Sequence, residues 1–172
     1  EKPVGRNYLA SLFWPDASEG AALHNLRQSL STLRRLCSPY LGGRELFRNV
    51  GDEDIQINND LVDSVDALEI HAGLSELLQI ERGRKGRGFP IKRLNRLLLS
   101  HTGDFLEGCT LADSIEFDAW LTTRREAINH LIIEGASIAV SYFEQRKDWD
   151  QVVRMTELLI QKAPWDEEAH IR

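Results

Sequence analysis

Along the stretch "LHNLRQSLSTLRR", Leu23 to Arg35, leucines recur at 23, 26, 30 and 33. That is the spacing of one face of a helix, and Cys37 extends the stripe. The pattern predicts this helix from just after Asp16 and Ser18, both side-chain caps, to about Cys37, where Ser38-Pro39 stops it. A shorter helix over Arg6–Phe13 precedes it and ends at Trp14, because a residue before proline is pushed out of the helical region. Next, Leu46-Phe47 and Ile55-Gln56-Ile57 are short apolar runs around Gly51-Asp52, the pattern of a β-hairpin.

From Val62 the period becomes 3.6. Val62, Val65, Leu68, Glu69, Ala72 and Leu77 predict a helix to about Ile80, which "ERGRKGRGFP" breaks, and another runs over Ile91–Ser100. "TGDFLEGC" reads as a turn or short helix. Asp113 with Glu116 forms a capping box for a long helix through Phe117, Trp120, Leu121, Ile128, Leu131, Ile132, Ala139 and Tyr142. Asp148 with Gln151 repeats that box ahead of Val152, Val153, Met155, Leu158 and Leu159; Pro164 closes this helix and a last one starts near Asp166. Residues 131–164 partly fit a tetratricopeptide unit through Ala136, Ala139, Phe143 and Pro164, although Val152 is larger than the usual small residue there.

The net charge of -6 is distributed in blocks. Residues 1–50 hold seven Lys/Arg against four Asp/Glu, and 51–81 hold nine acids and no Lys or Arg. Residues 82–101 hold seven bases and no acid, and 102–172 seven bases against fourteen acids. Separate surfaces with separate partners follow from such blocks, so the total does not exclude a polyanion. No apolar run approaches the roughly 18 residues of a membrane span, and the opening "EKPVGRNYLA" lacks a signal-peptide pattern, so the expectation is a cytoplasmic protein without membrane contact.

Cys37 and Cys109 match no metal-ligand or redox spacing and read as reduced thiols. No phosphate loop, zinc-protease motif or nucleophile elbow occurs, and His24, His71, His101, His130 and His170 share no ligand spacing. Caps and a solvated helix start account for Asp113, Glu116 and Asp118. The expectation is therefore no catalysis, no metal and no cofactor.

Chemistry concentrates on the back of the Leu23–Arg35 helix. His24, Gln28, Ser31 and Arg35 lie opposite the leucines, with Asn25 and Thr32 beside them and Arg27 and Arg34 on one flank. Solvated helix faces usually mix Glu with Lys, whereas here the acids stop at Glu19. The residues present are those that bond base edges and phosphates. A short helix before and a hairpin after give the layout of a helix-turn-helix with a wing. Arg44 and Arg48, at the base of the wing, complete the set of expected DNA contacts.

These segments resemble a known family. "RNYLASLFWPDAS" with "ALHNLRQSLSTLRR" resembles the winged-helix domain of bacterial antibiotic-regulatory-type transcription factors. "HTGDFLEGC", "FDAWLTTRREAI" and "LLIQKAPWDEEAHIR" resemble the bacterial transcriptional activator domain that follows it there. The carrying residues are Trp14-Pro15-Asp16, Leu26-Arg27 with Leu33-Arg34, Gly103-Asp104-Phe105-Leu106, Phe117 to Glu126, Pro164-Trp165 and Glu167-Glu168.

The resemblance implies a mainly α chain. Residues 1–60 would be a partial winged helix-turn-helix with a β-hairpin wing, lacking the strands and helix expected before it. Residues 61–172 would be an all-α, tetratricopeptide-like activator domain. It implies a sequence-specific activator that binds promoter DNA through the helix from about Glu19 to Leu36, with the second domain contacting RNA polymerase or a second copy. The alternative is a protein-interaction module whose N-terminal piece does not bind DNA by itself. Besides those missing elements, two features depart from the family. The turn Gly51-Asp52-Glu53-Asp54 is acidic and would repel phosphates, and the basic segment Arg82 to Arg96 is either a solvated loop or a second electrostatic contact with DNA.

Overall fold

The structure, a computed structural model, describes residues 2–62, 65–83, 88–101, 103–111 and 114–163. It is mainly helical, with six α-helices and one three-stranded antiparallel sheet among these residues. The chain divides into two compact units, 1–65 with 108–121 and 66–107 with 122–172.

The first unit starts with strand β1 (Val4–Gly5), helix α1 (Arg6–Phe13) and helix α2 (Glu19–Cys37). α1 ends at Trp14, whose N–H donates to the Ala10 carbonyl. Ser18 occupies the N-cap position of α2 without a side-chain bond, and Ser38–Tyr40 continue as a 3₁₀ turn. Strands β2 (Phe47–Val50) and β3 (Asp54–Ile57) form the hairpin, pairing Phe47 with Ile57 and Val50 with Asp54. Gly51, at φ +63, takes the left-handed turn position that a side chain disfavours.

β1 pairs Val4 with Ile55 on the other edge of β3, so the strand order is β1-β3-β2. The sequence pattern missed this strand, since two residues carry no period. Its partner lies some fifty positions away.

α1 and α2 close over this sheet. Ala10, Ala22, Leu26, Leu30 and Ile55 form the core, with Leu9, Trp14, Leu23 and Phe47 packed around it. Small residues at the crossing let the two helices approach. Of the leucine stripe only Leu26 and Leu30 are buried; Leu23 is half-buried and Leu33 is 44% exposed, with Leu36 beside it at 61%. Asn58, at 3% exposure, locks the hairpin exit: its amide donates to the Glu45 carbonyl at 2.8 Å and its Oδ1 accepts from Asp60 N–H.

The second unit contains helices α3 (Asp66–Arg82), α4 (Ile91–Ser100) and α6 (Trp149–Lys162), and α5 (Ile115–Arg146) from Thr122 onward. α3 starts four residues later than the periodicity predicts, and its buried face is Ile70, Gly73, Leu74, Leu77 and Leu78. Val62 and Val65 precede the helix and Leu68 is half exposed. The true stripe was obscured because this helix is apolar on more than one side.

Leu74, Leu77, Leu94, Leu98, Ile132, Val140 and Met155 are at most 1% exposed, each contributing about 1.5–3 kcal/mol by burial. α5 and α6 are joined by Lys147 and Asp148. The Asp148 N–H donates to the Phe143 carbonyl and the Lys147 N–H to that of Glu144, with Lys147 at φ +58. This is a Schellman end with lysine where glycine is usual. Asp148 then caps α6 through Gln151 N–H at 3.4 Å, as the sequence predicts. Ala136, Ala139, Phe143 and Val152 are all buried in this core. The expected cap at Asp113, the stop at Pro164 and the last helix near Asp166 lie outside the described residues.

Candidate nucleic-acid interface

α2 is nineteen residues long and buries one strip, Ala22, Leu26 and Leu30. The rest of its circumference faces outward. His24, Arg27, Gln28, Ser31, Thr32, Arg34 and Arg35 are exposed and Asn25 is half-buried, so all eight residues expected on the working face lie on the outer surface of one helix. No acid interrupts this face after Glu19.

Among the described residues, Arg27 and Arg35 make no ion pair. The Arg34 guanidinium lies 5.8 Å from the centre of the Phe47 ring, a cation–π contact that directs it toward the hairpin. The Gln28 side-chain amide donates to His24 Nε2 at 2.9 Å. A shallow recess of about 620 Å³ runs along α2 between Trp14 and the line Asn25, Gln28, Ser29, Thr32 and Leu33. The sequence marked Trp14 as a helix end and as part of the Trp14-Pro15-Asp16 resemblance, not as a wall of a recess. Its place beside a proline, one turn from a polar helix, was the available signal.

The two arginines expected at the base of the hairpin are engaged within the chain. Arg48 pairs with the Asp60 carboxylate, and Arg44 donates to the carbonyls of Leu41 at 3.1 Å and Asp60 at 3.2 Å. These two arginines tie the hairpin base to the chain itself. Both partners of the Arg48–Asp60 pair are more than half exposed. Such a pair is worth roughly 0–1 kcal/mol, little enough for a phosphate to compete. Arg6 donates to Asn49 Oδ1 at 2.7 Å, and Asp52 and Glu53 sit exposed at the turn.

In the basic segment, Arg82 Nη2 donates to both carboxylate oxygens of Glu134, at 2.7 and 2.9 Å. Arg93 pairs fork to fork with Glu76, Nη2 to Oε2 at 2.8 Å and Nη1 to Oε1 at 3.1 Å, which holds the Glu76 carboxyl below its usual value. Two of this segment's seven basic residues, Arg82 and Arg93, are thus engaged within the second unit. Lys92 and Arg96 stay exposed on α4, and residues 84–87 lie outside the described set.

Among the described residues no group of three or more His, Cys, Asp or Glu side chains could hold a metal ion. No described helix is long and apolar enough to cross a membrane. No family model matches this chain, and neither a curated protein nor a solved structure matches it.

Proposed function

We propose that this chain is a sequence-specific, DNA-binding transcriptional regulator of the antibiotic-regulatory type. In this reading β1, α1, α2 and the β2–β3 hairpin make a winged helix-turn-helix, with α2 entering the major groove. The observation that carries it is the outer face of α2, which gathers amide, hydroxyl, imidazole and guanidinium groups without one carboxylate over eighteen residues. The order of elements supports it. A short helix holds α2 from one side, and the hairpin strand β3 is locked between β1 and β2 beside it.

The second unit is then a tetratricopeptide-like activator module for contacts with RNA polymerase or a second copy, and its buried Ala136, Ala139 and Phe143 support that reading. The protein performs no catalysis and works in the cytoplasm, at the nucleoid. The test is charge reversal on the exposed face. Arg27→Glu/Arg35→Glu should lower affinity for a 30-base-pair duplex at least about tenfold in a mobility-shift assay, because cations at phosphates become repulsive. Equal affinity with the fold retained would overturn the reading.

A second reading is favoured by other observations. Leu33 and Leu36 are exposed along α2, and the hairpin turn is acidic. Both suit a protein partner better than a phosphate backbone. A stoichiometric protein complex, indifferent to added DNA, would support this alternative.

A further inference from the structure

Within the reading of α2 as a major-groove helix, on which this inference rests, we propose that Gln28 reads adenine and that His24 is the residue that positions it. A glutamine amide carries two N–H donors and one carbonyl acceptor. On an exposed helix face it can point either end outward. Here one N–H is committed to His24 Nε2, one helical turn earlier, at 2.9 Å. An amide nitrogen only donates, so in this pairing His24 Nε2 is the acceptor.

What remains free on Gln28 is one N–H and Oε1, side by side. Adenine offers the complement in the major groove, an acceptor at N7 and a donor at N6. Guanine offers two acceptors there and would set its O6 against Oε1. No other carboxylate or imidazole of α2 lies within one turn of Gln28 to draw its amide elsewhere. The flanking Ser31 and Arg35 are exposed on the same face and leave the His24 bond in place. His24 therefore acts on the base through Gln28, a supporting group that fixes the orientation of the contacting one.

The experiment is selection from a duplex library randomised over about 12 base pairs, using wild type, Gln28→Ala, His24→Phe and His24→Asn. All three changes lie on an exposed helix surface and leave the core untouched. Wild type should enrich sites with an A·T pair whose replacement by G·C costs about 5- to 150-fold in affinity, the range of one good two-point base contact. Gln28→Ala should lose that preference alone. 7-Deazaadenine at that position, which removes N7, should weaken wild type and leave Gln28→Ala unaffected.

His24→Phe, which keeps a ring but has no acceptor, should blunt the preference for A·T over G·C several-fold, a larger change than any it makes in affinity for random DNA. His24→Asn, which restores an acceptor, should recover it. Selected sites that are the same for wild type and Gln28→Ala would overturn the adenine assignment while leaving DNA binding intact. A His24→Phe variant as selective as wild type would overturn the positioning role. Failure of the folded wild type to retain any duplex at about 50 mM salt would overturn the DNA-binding reading itself, and this inference with it.

Discussion

Ser114 is 3% exposed and its hydroxyl serves two helix ends at once. It donates to the Leu12 carbonyl at 2.7 Å and accepts from the Phe117 N–H at 3.2 Å. Leu12 lies in the last turn of α1, where carbonyls have no partner within the helix, and Phe117 lies in the first turn of α5, where N–H groups have none. Both residues are buried, so water cannot substitute. In Ser114→Ala the lost cap costs about 1 kcal/mol. The Leu12 carbonyl left alone costs a further 1–3 kcal/mol or so. The total of about 2–4 kcal/mol is a large share of the 5–15 kcal/mol or so that holds a domain together.

With a urea slope near 2 kcal/mol per molar, the unfolding midpoint should fall by about 1–2 M. It would be followed by far-ultraviolet circular dichroism and tryptophan fluorescence. Ser100→Ala is the control: its hydroxyl donates to the Leu97 carbonyl at 2.8 Å but is exposed, so its loss should change stability by less than about 0.5 kcal/mol. If Ser114→Ala were as mild as Ser100→Ala, the double cap would not be a stabilising feature and the reasoning would fail.

Other consequences can be checked by similar means. Lys147→Gly should stabilise the protein by about 0.5–1 kcal/mol, since glycine relieves the left-handed backbone at the end of α5; unchanged or lower stability in urea would contradict it. A side chain at Gly135 would press on the buried Leu94, Leu98 and Leu74, so Gly135→Val should cost at least about 1–3 kcal/mol, read as a lower melting temperature. Burial, and the Lys162 ammonium beside it, hold the His101 imidazole below its ordinary 6.5. The unfolded chain takes up that proton first, so stability should decline as pH falls from about 6.5, and His101→Gln should flatten that part of the curve. The Lys162 bond at 2.7 Å holds the Asp104 carboxyl below its ordinary 3.8, adding stability above about pH 4 that is lost on further acidification and absent in Asp104→Asn. Arg35→Ala should lower affinity for a specific site by about 1–3 kcal/mol, measured by titration of labelled duplex.

Elements whose reason for existing is local were readable in the chain. α1 and α4 fall at Arg6–Phe13 and Ile91–Ser100, where the pattern and the proline breaks put them. The Asp148 cap and the hairpin around Gly51 follow from side-chain chemistry within a few residues. What distant packing decides was hidden. β1 exists because β3 offers an edge to Val4. The buried face of α3 is the one that meets Leu94 and Ile132 in the core, not the line through Leu68, Glu69 and Ala72 that the periodicity suggested. Ser114 sat next to the predicted cap, but nothing nearby in sequence pointed to its bond with Leu12. On α2, the exposed face was legible because acids are missing from it over many residues. The engagement of Arg44 and Arg48 with Leu41 and Asp60 was not, since it depends on how the hairpin closes.

The central claim, that α2 is presented as a DNA reader, is tested most directly by fluorescence anisotropy of labelled duplex titrated with this chain at about 50 and 200 mM salt. Several phosphate contacts release counterions together, so affinity should drop by two or more orders of magnitude across that range. A folded chain that fails to bind at the lower salt, or binds with an affinity indifferent to salt, would contradict the account.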